Sequence, residues 1–480
     1  YPYDKLDLIA VPDFEAGAME NAGAVTFRET LLLIDPKNAT LAEKKRVAEV
    51  IAHELAHMWY GDLVTMAWWN DLWLNEAFAT WMAFRVIDAW KPEWRMWNNF
   101  EHHRAAAFGL DALANTHPIY TEVLNPAQAT ENFDAITYEK GASVVRMVEN
   151  YLGANAFRSG VRKYIRRHRE ANAEAADLWR ALEESSGQKV NQVVRAWIEQ
   201  PGFPLVAAKR AEKDGTASLD LRQQRFFANP KAADTGQRWP LPMVLKIGSK
   251  RGSVRLQRHL MTKAKERVEL GSVATSAWVY ANAAEGGFYR PLHDEQNLAL
   301  LSQNLPTALT AAERMGLVGH QWAAVRGGHA PIESFLDLAG RLGDEVDFDV
   351  LDGLAGPLRY IDDYIVPDAG AEARARYRGW LSATFGPAFA QLGWDAAAGE
   401  SDDLRVRRAS LLRLAGELAE SEAIGAEASR RFLAYLADRA ALEPNLADGV
   451  VAIAARRGDA AVYERLLAAV AGDEDVQRAD

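Results

Sequence analysis

Between residues 42 and 60 the chain has no Gly or Pro, and apolar side chains recur at Val47, Val50, Ile51, Leu55, Met58 and Trp59. Spacings of three and four, on a stretch rich in Ala, Leu, Glu and Lys, predict an amphipathic helix. Asn38 or Thr40 is placed to cap it. A second helix is expected around Asn75, where Trp73, Phe78, Trp81, Met82 and Phe84 supply an apolar surface. The seven tryptophans from Trp68 to Trp97 read as helical core rather than as a ligand platform. Further on, 156–169 and 175–185 have helical patterns, closed by Pro201-Gly202 and Pro204 as breakers. Val161, Tyr164 and Ile165 interrupt the arginines of 162–169 at helical spacing, which makes that run the solvated face of a helix rather than a nucleic-acid site.

The pattern changes after residue 204. Short alternating runs at 217–222, 242–247 and 252–257, separated by Gly, Asn, Asp and Pro, predict the strands of a small β-sandwich. From about 291 the chain becomes rich in Ala, Leu and Arg, with helix-length patterns at 404–418, 426–442 and 460–470. A helical bundle and a solenoid of stacked helices both fit them. The expected fold class is multidomain, with an all-β part over 205–290 and an all-α part over 291–480 following the part over 1–204.

Composition narrows the function. A chain of 480 residues with 49% hydrophobic content is long enough for about three domains. No uncharged apolar run reaches the length of a membrane span. The 66 acidic residues outnumber the 55 basic ones, for a formal charge of −11, which opposes general affinity for nucleic acid or anionic membranes. With no cysteine there are neither disulfides nor thiolate metal sites, and a reducing cytoplasm or an oxidising periplasm fits equally. Compartment and oligomeric state stay open.

The chemistry concentrates at His53-Glu54-Leu55-Ala56-His57, with Glu76 following after eighteen intervening residues. Helix positions i and i+4 lie about 40° apart around the axis, so both imidazoles can face one ion while Glu54 stands beside it. Two histidines and a carboxylate suit zinc and leave one position open for water. The remaining histidines lack ligand spacing and read as surface or satisfied core.

Together with Gly17-Ala18-Met19-Glu20-Asn21, Trp59-Tyr60-Gly61-Asp62-Leu63-Val64, Asn75-Glu76, Tyr138-Glu139-Lys140-Gly141-Ala142 and the segment from Trp197 to Pro204, the zinc motif resembles the aminopeptidase N-type gluzincins. Within them the likeness is to the puromycin-sensitive and endoplasmic-reticulum aminopeptidases, from a bacterial source. The resemblance implies an α/β, thermolysin-like catalytic domain over 1–204, a β-sandwich over 205–290 and a C-terminal helical solenoid over 291–480. It also implies one Zn²⁺ per chain on His53, His57 and Glu76, with Glu54 as general base and Tyr138 stabilising the oxyanion. Glu20 would receive the α-ammonium of a peptide with a free N-terminus. Gly17, Ala18, Met19 and Asn21 would run along the substrate, and Glu15 and Phe133 would border the pocket for its first side chain. Basic and large neutral first residues are the expected preference.

Departures from the family pattern are few. Ala22 follows Asn21 where many members have Trp, and Ala77 stands where Gly often follows the ligand Glu. Relatives that also open lipid epoxides carry Gly at the position of Ala18, which argues for peptidase activity alone. Family members have a β-rich domain ahead of the first motif, contributing a Gln or Glu to the ammonium site, so the chain is expected to be an N-terminally truncated fragment. A thermolysin-like endopeptidase, or a peptide-binding fragment without efficient catalysis, are the alternatives.

Overall fold

A computed structural model describes residues 1–36 and 39–471. The chain is mixed α/β, with small sheets before residue 294 and helices thereafter. It divides into two compact units, Tyr1–Leu32 with Ala48–Phe335, and Leu33–Val47 with the chain from Leu336 on.

The first unit opens with a three-stranded sheet of β1 (Asp7–Val11), β2 (Ala18–Met19) and β3 (Ala24–Arg28), in the order β1-β3-β2. Alternation along β3 buries Val25 and Phe27 completely. Helix α1 covers Leu41–His57. Thr40 caps it as expected: its hydroxyl accepts from the Glu43 amide at 3.2 Å, while the Glu43 carboxylate accepts from the Thr40 amide at 2.6 Å. Asn38 lies outside the described residues. The helix ends three residues before the expected 60, where Gly61 turns the chain at φ +135°.

After β4 (Val64–Met66) comes α2 (Trp73–Trp90), then α3 (Met96–Asp111), α4 (Pro126–Glu131) and a π-helical turn, Ile136–Lys140. Next are α5 (Gly141–Leu152), α6 (Ala154–Arg167), β5 (Ala171–Ala173, parallel to β4), α7 (Ala175–Ser186) and α8 (Val190–Glu199). The core here is aromatic, with Trp73 stacked on Trp179 at 5.5 Å and Phe84 edge-on to Phe100 at 5.0 Å. The tryptophan cluster divides, however. Trp73 and Trp81 are buried, whereas Trp68, Trp69 and Trp90 are exposed, because Trp68 and Trp69 fall before α2 begins and Trp90 ends it.

Seven strands follow: β6 (Pro204–Lys213), β7 (Thr216–Arg225), β8 (Leu241–Gly248), β9 (Val254–Met261), β10 (Lys265–Ser272), β11 (Trp278–Tyr280) and β12 (Arg290–His293). They form two sheets, β10-β7-β6-β12 and β11-β8-β9, whose inward residues, among them Leu219, Leu221, Leu245 and Ile247, share one core. Pro204 is no breaker but the first residue of β6, opposite Arg225, a position where a strand tolerates proline. The run expected at 252–257 begins only at Val254, since Gly252 sits in a turn at φ +84°. Helices α9 (Glu295–Gln303), α10 (Leu305–Ala308) and α11 (Ala311–Arg326) lie beyond them in the same unit.

The second unit is helical, with Phe348–Tyr360, Ala371–Leu392, Asp402–Leu412, Glu422–Ala437 and Ala447–Arg457 around fully buried Leu351, Leu358, Leu381, Phe385 and Leu411. The helix expected over 404–418 changes to a π-helical turn at Arg413–Leu418. Among the described residues, no helix is long and apolar enough to cross a membrane.

Candidate metal centre

Helices α1 and α2 bring three ligand atoms together. His53 Nε2 and His57 Nε2 lie 2.9 Å apart, and each is 3.3 Å from Glu76 Oε2. Each imidazole is aimed by its other nitrogen. Tyr60, released from the helical ladder by the turn at Gly61, offers its carbonyl to His57 Nδ1 at 2.9 Å. The Thr80 hydroxyl stands 3.4 Å from His53 Nδ1. With the Nδ1–H of His57 donated, its Nε2 presents a lone pair, the arrangement that metal-ligating histidines adopt. Gly61 is required at this point, because a Cβ would come within 3.3 Å of His57 Nδ1.

The electrostatics favour a cation in the triangle. Burial lowers the basicity of His57, yet the charge of Glu76 and its hydrogen bond outweigh burial and raise the imidazole to about 10. Glu76 in turn is held well below the usual carboxylate range, against its burial, by the charge of His57 and by hydrogen bonds from both histidines. Zn²⁺ bound there would have to displace that proton. The donor set of two imidazoles and one carboxylate fits that ion.

Beside the triangle, Glu54 is buried and its Oε2 has no hydrogen-bond partner among the described residues. Burial pushes its carboxyl up to about 8. The Glu20 carboxylate approaches His57 Nδ1 at 3.8 Å. Tyr138, on the π-helical turn, stacks on His53 with ring centroids 5.9 Å apart. Burial first, then the charges of Glu76, Glu20 and Glu54, raise its phenol above the ordinary value, so it stays protonated and able to donate. Phe133 is exposed and 6.4 Å from the Tyr138 ring.

The remaining residues named from sequence lie on the first sheet and the loop before it. Ala18 and Met19 form β2, paired on one side to Phe27 and Thr26 and at the edge of its sheet on the other. The Gly17 carbonyl accepts from the Arg28 amide at 2.9 Å. The Asn21 amide reaches Thr26 Oγ1 at 3.5 Å. Glu15 is exposed, and what fixes it is its backbone carbonyl, which accepts from Arg28.

Some contacts escaped the sequence. His103, expected to be surface or satisfied core, stands between Glu49 on α1 (3.6 Å) and Glu139 beside Tyr138 (3.9 Å). Trp69 extends the aromatic row, 6.4 Å from Phe133. No motif spacing marks either residue, since both act through packing of distant segments.

Two histidines and a glutamate on adjoining helices, flanked by a further carboxylate and a phenol, form a group that could hold a metal ion. Residues 1–197 match the Peptidase family M1 domain, and residues 278–479 match the ERAP1-like C-terminal domain. The chain thus carries an M1-family peptidase domain followed by an ERAP1-like C-terminal domain. It is 39% identical to Aminopeptidase M1 of Arabidopsis thaliana over 483 residues, covering 97% of this chain and 54% of that protein. It is 39% identical to the puromycin-sensitive aminopeptidase of Caenorhabditis elegans over 72% of this chain and 37% of the relative. With the Tricorn protease-interacting factor F2 of Thermoplasma volcanium the identity is 37%, over 75% and 43% respectively. The chain spans about half the length of the curated relatives it matches.

Proposed function

We propose that this protein is a zinc-dependent aminopeptidase that removes single residues from peptide N-termini. The observation that carries the reading is the Glu20 carboxylate 3.8 Å from His57 Nδ1, an acidic group beside the metal triangle that is spare for a free α-ammonium. In this reading residues 1–204 are a thermolysin-like catalytic domain, 205–290 a β-sandwich and 291–480 a helical solenoid.

His53, His57 and Glu76 would hold one zinc ion, which would supply the Lewis acidity that makes a water more acidic and a carbonyl more electrophilic. Glu54 takes the proton of the attacking water and later passes it to the departing amine. Its partner-free oxygen suits that task, since no competing donor must be displaced. Tyr138 donates its O–H to the oxyanion that attack creates. Glu20 binds the α-ammonium through charge-assisted hydrogen bonds. The outer edge of β2 lets the substrate backbone add as a further strand along Gly17, Ala18 and Met19, with Asn21, tied back to Thr26 on β3, at the end of that strand. Phe133 and Glu15 flank the first side chain, where an aromatic ring and a carboxylate favour large neutral and basic residues.

The test is hydrolysis of a panel of aminoacyl amides and their N-acetylated counterparts by the full-length protein, with metal analysis. The expected result is one zinc per chain, cleavage of free amines only, loss on chelation and recovery with Zn²⁺ or Co²⁺. Equal cleavage of N-acetylated substrates would replace this reading with an endopeptidase, and active protein without stoichiometric metal would end it.

A further inference from the structure

Lys140 and Asp111 are both fully buried, and neither belongs to the metal triangle. Lysine is almost never enclosed to that degree without a partner. Here its Nζ lies 2.9 Å from Asp111 Oδ2, off the axis of a directed hydrogen bond, so that oxygen is held by charge. Nζ also donates to the Gly202 carbonyl at 3.1 Å and reaches the Gln200 carbonyl at 3.5 Å. Asp111 Oδ1 accepts from the Gly202 amide at 2.8 Å and from the Thr116 hydroxyl at 2.9 Å. Gly202 thus engages both charged groups with its own backbone. Only glycine serves there, because φ is +84° and a Cβ would stand 2.5 Å from Arg225 Nε.

Lys140 ends the π-helical turn Ile136–Lys140, which has Tyr138 at its centre. At the other end, Asp134 Oδ1 accepts from the amides of Ile136 (2.9 Å) and Thr137 (3.2 Å), while Asp134 Oδ2 lies 2.8 Å from His117 Nε2. Within the turn the amides of Glu139 and Lys140 share one acceptor, the Ala135 carbonyl. A π-turn departs from the regular α-helical ladder, so the heading of Tyr138 depends on the anchors at its two ends.

We propose that Lys140 and Asp111, locked onto Gly202, are positioning residues that hold the end of this turn and thereby aim the Tyr138 phenol across the face of His53. The inference rests on the reading of Tyr138 as oxyanion donor. It gives the segment between Trp197 and Pro204 a task in the reaction, although it is distant in sequence from the phenol it serves.

The test is a double-mutant cycle in the zinc-loaded full-length protein. Lys140→Met alone leaves Asp111 charged and unpaired in the core, which threatens the fold. The second variant, Asp111→Asn with Lys140→Met, removes both charges and keeps an acceptor for Gly202. That variant should retain one zinc and a cooperative thermal transition, with KM within about twofold of wild type and kcat lowered about tenfold or more, as a misplaced donor implies. In a Tyr138→Phe background the same pair should lower kcat by less than about twofold, because no phenol remains to be aimed. An equal loss of kcat in both backgrounds, or no loss with Tyr138 present, overturns the proposal. If Tyr138→Phe itself leaves kcat unchanged, the oxyanion reading falls, and the positioning role falls with it.

Discussion

Gly141→Ala should impair catalysis while leaving zinc in place. Gly141 begins α5 in helical geometry, φ −54° and ψ −53°, so alanine is conformationally welcome there and gains about 1 kcal/mol of helix propensity. The obstacle is steric. A Cβ at this position would stand 2.6 Å from the Ala77 Cβ, whereas carbons in contact prefer about 3.5–4.0 Å. The two segments must therefore part by roughly 1 Å, and neither atom belongs to a flexible side chain that can swing aside. Ala77 follows the ligand Glu76 and Gly141 lies three residues after Tyr138, so the displacement falls between a metal ligand and the phenol. A misplacement of about 1 Å can cost about a hundredfold in rate, equivalent to roughly 2.7 kcal/mol.

The assay is kcat on a leucyl amide, with zinc content and thermal midpoint measured alongside. A second substitution makes the argument specific. Ala77→Gly removes the opposing Cβ and leaves the new methyl 3.8 Å from the Ala77 Cα, an ordinary contact. Gly141→Ala with Ala77→Gly should return kcat to within a few-fold of wild type, even though glycine inside α2 costs about 1 kcal/mol of stability. Wild-type turnover in Gly141→Ala would refute the reasoning, and so would failure of the pair to recover.

Glu54→Gln should keep one zinc per chain and lower kcat by about two to four powers of ten, because it removes the base and no ligand; turnover near wild type in a metal-loaded preparation would reject the assignment. Glu15→Ala should weaken cleavage of Lys and Arg substrates relative to Leu, and an equal fall for Arg and Leu would remove Glu15 from the specificity pocket. Burial lowers His293 to about 4, while its Nδ1 accepts from Asn297 at 3.1 Å and its Nε2 has no hydrogen-bond partner among the described residues. The unfolded chain therefore binds the extra proton first, and stability is lost as pH falls from about 6.5 toward 4, by up to about 3 kcal/mol. His293→Asn should flatten that part of the pH–stability curve, and an unchanged slope in urea unfolding would contradict it.

The parts of the site that were legible in sequence are those whose geometry is local. His53, Glu54 and His57 share one helix whose period is plain, and Thr40 with Glu43 forms a capping box three residues apart, so nearest-neighbour physics suffices. Glu76 is different. Nothing in an eighteen-residue interval dictates that α2 returns its first turn to α1; the spacing makes Glu76 a candidate third ligand, and likeness to a known family strengthens it. Strands β11 and β12, of three and four residues, are too short for alternation to register. The exposed Trp68 and Trp69 share their composition with the buried Trp73 and Trp81. What separates them is where α2 starts, which is the least determined feature of a helix read from sequence.

Lys140 shows most sharply where local reading ends. By type it reads as a solvated cation. Its burial is tolerable only because Asp111, twenty-nine residues earlier, and the backbone of Gly202, sixty-two residues later, meet it from two directions. Each partner alone would leave a charge or an amide unsatisfied in the core, so the three are stable only as a set, and the set exists only after the chain has closed on itself. The same closure fixes the end of the turn that bears Tyr138. A motif of five consecutive residues, Tyr138 to Ala142, therefore encodes a phenol, a buried anchor and a glycine that admits α5 against Ala77. Of the three, only the phenol has a role that can be guessed without the fold.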